Sequence, residues 1–394
     1  MLKLFFWVIG AAFALIAGGL AWLGLAPEPE PVPAPEAQVA KGLQILADAR
    51  WAAPAGWAWA EFALPDGTKL RYGSAAPASP APNPTLPTKG PKPSEAIAAP
   101  PPPPQPVFVF VPGFTGLIEQ HFEMFQRLTA QGVRVYGVEL RGQGGSSRPL
   151  PGPDGQQKSY LGDFKQYADD LAAFINDVVR PAAGENVVVL GGLSLGGHAV
   201  LRTALETPEI ADGYAPISPA IGIFTKPLSE PQALLLTSTL TNLGAGSHYT
   251  VGSGPRSWPP ERLDGLGSCG SDPARAAALN AWYVTSPDVL VGGATNAWLA
   301  AFVRSGKVLQ DEARLAQITR PVMMIIPQRD TVVKAEVSAR SCAQIEGCKP
   351  VLLQEAHHCP FQDPDTEFNA AYAALSNFIQ ERAAAAIPAR LPAP

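Results

Sequence analysis

A serine, two adjacent histidines and an aspartate are the residues of this chain whose types and spacing suit nucleophilic chemistry. Ser194 lies in Val187-Val188-Val189-Leu190-Gly191-Gly192-Leu193-Ser194-Leu195-Gly196-Gly197-His198, which contains the pattern G-x-S-x-G. An aliphatic run precedes it and a helix-compatible run (Ala199, Val200, Leu201, Ala204, Leu205) follows, so Ser194 is expected on a sharp strand-to-helix turn. Its hydroxyl then projects beyond the strand, at a helix N-terminus whose dipole favours an anion. A serine nucleophile needs a base, and the chain has five histidines. His121 falls in an early helical stretch, His198 one turn past Ser194, and His248 in a long insert. Where such a turn carries the nucleophile, the acid and then the histidine follow in sequence. That leaves His357 or His358, just past the last expected strand. The acid belongs in a loop after a late strand. Val322–Ile326 followed by Pro327-Gln328-Arg329-Asp330 points to Asp330, with Asp363 and Asp365 as rivals crowding the histidines. An oxyanion needs backbone N–H donors. Leu195, after the nucleophile, supplies one, and Phe114, in the Pro112-Gly113-Phe114 loop, is expected to supply the other.

The elements that must position these groups follow from patterning. Of 394 residues, 46% are hydrophobic and 16% charged, which is ample for a buried core and far from the disordered class. A net charge of −5 leaves no basic field for counterion release, so nucleic-acid binding is excluded. Glu61–Leu64 and Lys69–Tyr72 flank Pro65-Asp66-Gly67, a hairpin signal. After Val107 strands and helices alternate: strands at Val107–Val111, Val133–Leu140, Val187–Leu190, Val322–Ile326 and Val351–Gln354, and helices over Glu119–Ala130, Ser159–Val179 and Phe368–Arg382. That rhythm predicts an α/β protein with a mostly parallel central sheet flanked by helices. Residues 219–313 break it and are expected to form a helical cap inserted after the strand that follows the nucleophile helix. The apolar Ala233–Leu236 run is a candidate wall for an apolar pocket there.

The N-terminus is a separate matter. Leu4–Leu25 is uncharged and about 33 Å long as a helix, enough to span a bilayer core. Lys3 on one side and Glu28, Glu30 and Glu36 on the other predict a single anchor (residues 1–26) with the body outside the cytoplasm. A cleaved signal sequence with a secreted product is the alternative. Prolines at 27, 29, 31, 33 and 35 make residues 27–37 a stiff spacer, ahead of a 38–382 catalytic domain. Thirteen prolines between Ser74 and Pro106 predict an extended insert (74–106), and 383–394 a disordered tail. Four cysteines lack the spacing of a structural zinc site. Cys342 and Cys348 are close enough to bridge a short loop, and Cys269 with Cys359 is a second pairing that would pin the cap to the histidine loop.

Taken together, these motifs resemble the α/β-hydrolase fold, in its bacterial lysophospholipase and monoacylglycerol lipase (serine aminopeptidase S33-like) branch, from about Glu61 to Arg382. Its D-x-R-G-x-G-x-S segment is similar to Glu139-Leu140-Arg141-Gly142-Gln143-Gly144-Gly145-Ser146, and its G-H-S-M-G-G-H segment to Gly192–His198. Trp258-Pro259-Pro260-Glu261-Arg262, Ser271-Asp272-Pro273 and Gly292–Trp298 resemble its cap. The G-A-x-H-E terminus aligns on Glu355-Ala356-His357-His358-Cys359, which selects His358 as the base. Pro112, Leu193 and Cys359 depart from the pattern, each at the pocket wall. The resemblance implies hydrolysis of a lipid ester through an acyl-enzyme, with no metal or organic cofactor. A carboxylesterase or thioesterase of small soluble esters, and a non-catalytic hydrolase-like scaffold, are the alternatives.

Overall fold

Alternating apolar runs and amphipathic stretches build one eight-stranded sheet. The computed structural model describes residues 28, 30–77, 105–152, 155–225, 227–256, 263, 266 and 269–386. The 4–25 run, most of the proline-rich insert (78–104), the 258–262 motif and residues 387–394 of the expected 383–394 tail lie outside them. Among the described residues no helix is long and apolar enough to cross a membrane.

The strands are β1 (Ala58–Ala63), β2 (Lys69–Ala75), β3 (Val107–Val111), β4 (Arg134–Val138), β5 (Val188–Leu193), β6 (Gly213–Ile217), β7 (Met323–Pro327) and β8 (Lys349–Leu353). Their spatial order is β1-β2-β4-β3-β5-β6-β7-β8. The β1–β2 hairpin joins β4 antiparallel, and every other pairing is parallel. β3, β5, β6 and β7 are buried along their whole length, as strands covered on both faces must be. The result is an α/β-hydrolase fold. The hairpin turn closes through Gly67 (φ +85°), and its Asp66 accepts from the Thr68 N–H and Arg141 Nη1, which hold that carboxyl down at about 2.

Three elements depart from the sequence reading. The closing helix runs on to Ala386 with Ala383 buried, so residues 383–386 of the expected tail are helical. The helix expected from Ser159 begins only at Lys165, because Ser159 is an isolated parallel bridge to Ala294 and its carbonyl accepts from Thr295. β6 carries Pro216, which cannot donate. Tyr214 and Ser218 donate toward β7 on either side of it, to Pro321 and Ile325 carbonyls, so the β6–β7 ladder has a gap there.

The helices that matter for the site are α1 (Glu36–Leu46), α2 (Phe122–Ala130), α3 (Lys165–Phe174), α4 (Leu195–Glu206), α5 (Glu230–Leu240), α6 (Pro273–Thr285), α7 (Asn296–Val308), α8 (Ala335–Ala343) and α9 (Asp365–Ala386). α5, α6 and α7 belong to the insert between β6 and β7, called the cap below. α1 packs on α6 rather than on the sheet. A side chain at Gly42 would meet Val284 Cγ2 at 2.8 Å, so the two backbones are closer there than any larger residue allows.

Candidate active site

Ser194 stands between β5 and α4 with φ +57° and ψ −111°, a conformation that non-glycine residues rarely adopt. Backbone bonds hold the strain. Its N–H donates to Ile217 O at 2.9 Å, and its carbonyl accepts from His198 and Ala220 N–H groups. Gly196 makes the turn possible: a Cβ there would overlap the Val111 and Pro112 carbonyls of the neighbouring β3 end. His198 is fully buried, with Nδ1 2.7 Å from Ala220 O and Nε2 2.8 Å from Ser305 Oγ on α7. Burial pushes its imidazole down to about 4, so it serves as a neutral brace between the turn and the cap.

The two neighbouring histidines take different acids. His358 Nδ1 lies 2.7 Å from Asp330 Oδ2, and both side chains are almost completely buried. The other oxygen, Asp330 Oδ1, accepts the Val332 and Val333 N–H groups at 2.7 and 2.8 Å, which leaves Oδ2 to face the imidazole. Arg329 N–H donates to Ala356 O, so acid loop and histidine loop are joined by backbone. His357 instead sets Nδ1 2.9 Å from Asp363 Oδ1. Asp363, with no exposed surface, also accepts from the His357 N–H, the Ser271 N–H and Ser271 Oγ. Asp363 thus ties the histidine loop to the cap. Asp365 is further off, paired with Arg275.

Gly113 lies against the nucleophile: a Cβ on it would be 3.3 Å from Ser194 Cβ. Thr115 adopts φ +60° and its N–H is taken by Gln143 Oε1 at 2.9 Å. The Phe114 and Leu195 N–H groups have no acceptor among the described residues. The Phe114 ring packs on Trp298 of α7, with centroids 4.7 Å apart. Gln143 reaches on to Ser159 Oγ, so one amide links the Thr115 loop to the segment bridged to the cap. Beneath it, Glu139 accepts from Gly145 (2.6 Å), Ile118 (3.3 Å) and Arg71 Nη1 (3.0 Å). Burial pushes the Glu139 carboxyl up to about 7 against the pull of Arg71, which also pairs with Glu119.

A model of the family described as serine aminopeptidase S33 matches residues 102–365, more than half of the chain. The chain belongs to that family. The S33 match takes in the Ser194 turn, the Asp330 loop and both histidines. Lysophospholipase L2 of Escherichia coli K12 is 24% identical over 279 residues, covering 69% of this chain and 79% of that protein. Probable lysophospholipase L2 of Haemophilus influenzae is 23% identical over 241 residues, 61% and 72% of the two chains. Among solved structures, a soluble variant of the Saccharomyces cerevisiae monoglyceride lipase with a substrate analogue matches with TM-score 0.61 at 18% identity, over 84% of this chain and 96% of that one. A thermostable carboxyl esterase from Bacillus coagulans gives 0.60 at 13% identity, over 83% and 99%. These likenesses establish the fold of this S33 hydrolase.

Sequence reasoning had no signal for Gln143, Glu139 and Arg71 as supports of the Phe114 loop, because their partners lie 21 to 68 residues away. It also read Ala233–Leu236 as one wall. α5 buries Ala233 and leaves Leu235 facing solvent, so only part of that run lines the interior. Both cysteine pairs form bridges. Cys342–Cys348 closes a short loop after α8, and Cys269–Cys359 joins the cap to the residue after His358.

Proposed function

We propose that this S33 hydrolase cleaves carboxylic esters of lysophospholipid or monoacylglycerol type through an acyl-enzyme on Ser194. The observation that carries the reading is the buried Asp330–His358 hydrogen bond, in the same layer of strand ends as the strained Ser194 turn. In this mechanism Ser194 Oγ bonds to the ester carbonyl carbon as its proton passes to His358 Nε2. The oxyanion is held by the Phe114 and Leu195 N–H groups, which have no acceptor among the described residues and so suit that task. The tetrahedral species collapses by breaking the bond to the alcohol, which takes the proton from His358. Water then repeats the cycle on the acyl-serine and releases the carboxylate. Asp330 holds Nδ1 protonated and stabilises the imidazolium.

The substrate class draws support from the named activities of the two curated relatives and from the apolar cap. The uncharged 4–25 run supports a tether that keeps the catalytic domain at the membrane on the extracytoplasmic side, where two disulfides are at home. One panel tests the reading: lysophosphatidylcholine, a monoacylglycerol, a short nitrophenyl ester and an aminoacyl naphthylamide, each with wild type and Ser194→Ala. The expected result is fastest turnover of the lipid esters, lost with the variant. Preference for the short ester would favour a soluble-ester esterase. Preference for the amide would favour a peptidase. Failure of wild type to react with any of the four or with a fluorophosphonate probe would leave a scaffold. Resistance to carbonate extraction, with protease sensitivity from outside the inner membrane, is expected of the tether.

A further inference from the structure

We propose that Arg256 of the cap is a positioning residue for the oxyanion loop, fixing the Phe114 N–H through a strained Thr115. The inference rests on the ester-hydrolase reading above. Gly113-Phe114-Thr115-Gly116 is a four-residue turn, closed by the Gly116 N–H donating to the Gly113 carbonyl at 3.0 Å. Thr115 is its third residue and has φ +60°. Turns that need a positive φ at that place usually carry glycine or asparagine, and a β-branched side chain is strained there. Relaxing Thr115 to negative φ would turn the 114–115 peptide over and displace the Phe114 N–H beside it. Gly113 already stands against Ser194, so a small movement spoils the donor's aim.

Strain of this kind persists only where neighbours enforce it. Two side chains do so, and both are anchored on residues 157–159. Gln143 donates its Nε2 to Ser159 Oγ at 3.0 Å and accepts the Thr115 N–H on Oε1 at 2.9 Å. Arg256 donates its backbone N–H to Gln157 Oε1 at 2.7 Å and its Nη2 to Thr115 Oγ1 at 2.8 Å. Thr115 is thus gripped at the amide from the sheet side and at the hydroxyl from the cap. The guanidinium sits over the Tyr283 ring, 4.0 Å from its centroid, which limits its rotation. Its charge makes the bond to the hydroxyl stronger than one between neutral groups.

The anchoring segment is itself tied to the cap. The Gly292 N–H donates to the Gln157 carbonyl and the Thr295 N–H to that of Ser159, at 2.8 and 3.1 Å. The cap therefore helps to shape the donor as well as to cover it. This tie differs from those through Asp363 and Cys269–Cys359, which end on the histidine loop. A hydrogen bond to the oxyanion strengthens as the carbonyl oxygen becomes charged. A misplaced donor accordingly lowers kcat and leaves KM almost unchanged.

The test measures kcat and KM on a short nitrophenyl ester and on lysophosphatidylcholine for the full chain. The variants are Arg256→Met, Thr115→Val, the two combined and, as a control that removes another cap cation, the exposed Arg304→Met of α7. End-point labelling of Ser194 by a fluorophosphonate and thermal melting report the folding of each. In Arg256→Met, kcat should fall about 30-fold on both esters alike with KM within about twofold, part of the roughly 10²- to 10³-fold cost of losing an oxyanion donor. Thr115→Val should fall as far and the combination no further, since both cut one link. The inhibition constant of an alkyl trifluoromethyl ketone, whose adduct oxygen takes the oxyanion's place, should rise by the same factor. Arg304→Met should stay within about twofold of wild type. An unchanged kcat in Arg256→Met, or additive losses in the combination, overturns the proposal and leaves the ester reading standing. A rise in KM confined to lysophosphatidylcholine makes Arg256 a head-group contact and also overturns it. So does a loss matched by incomplete labelling and a lower melting temperature, which marks a merely structural tie. If Arg256→Met fails to fold, Thr115→Val decides, and normal kcat there overturns the proposal. Wild type that neither labels nor turns over either ester overturns both readings together.

Discussion

At the strand ends, backbone register places the reactive groups: adjacent parallel strands β3 and β5 deliver Gly113 with Phe114 and Ser194, and β7, parallel to them with β6 between, delivers Asp330. Above them the cap is held by side chains remote in sequence. Arg275, almost wholly buried, donates to both oxygens of Glu123 on α2, to Asp365 on α9 and to the Asp363 carbonyl. Cys269–Cys359 closes a separation of 90 residues, and Ser271 is bonded to Asp363. The contrast teaches that the chemistry and its cover can be damaged separately: one by single atoms at the strand ends, the other by cutting long-range ties.

The largest expected effect is at the strand ends. Ser194→Ala should cut ester turnover by at least about 10⁴-fold with no change in melting temperature, read by steady-state rates and calorimetry. Asp330→Asn should follow at roughly 10³- to 10⁴-fold. Its amide oxygen can still accept from Val332 and Val333, which turns the amide N–H₂ toward His358 Nδ1 and imposes the wrong tautomer. Normal activity in that variant would remove Asp330 from the mechanism.

Cap ties should show in stability first. Replacing Cys269 and Cys359 together by serine should lower unfolding free energy by about 4.6 kcal/mol, from loop-closure entropy over 90 residues. Short-ester turnover should fall far less than long-chain turnover. Equal losses on both substrates would merge the two regions into one. Arg275→Met leaves Glu123 half-buried without its main partner and should cost about 3 kcal/mol in denaturant titration, with the Ser194 probe reaction intact.

Acid should strain both regions mildly. Burial lowers the imidazoles of His198, to about 4, and His121, to about 3, from an ordinary 6.5. A base with a depressed folded value binds fewer protons than the unfolded chain between those limits. Stability is therefore full above pH 6.5 and is lost as pH falls from 6.5 toward about 4. His121 Nδ1 is buried without a partner and its ring lies 4.4 Å from Phe110. His121→Phe should flatten the acid limb of the melting curve and add about 1 kcal/mol at neutral pH.

The same division marks what the sequence made legible. Val107–Val111 and the Ser194 turn were readable because a buried parallel strand is a continuous apolar run and a tight turn demands glycine at fixed spacing. β6 was obscured by Pro216, which sits where the ladder to β7 tolerates a missing donor. The cap's ties had no local trace: nothing around Arg275 or Asp363 tells which distant loop each holds. Choosing between His357 and His358 needed the resemblance, since the residues alone left both open. The structure separates them by acid, Asp363 for one and Asp330 for the other.

The sulfur bridge one residue beyond His358 has a practical corollary. Thiols kept reduced during synthesis would yield a polypeptide with every reactive side chain and no strut between roof and imidazole. Two batches of identical mass, within a few protons, would then differ in rate and in long-chain preference. A thiol titre belongs beside every specific activity measured for this enzyme.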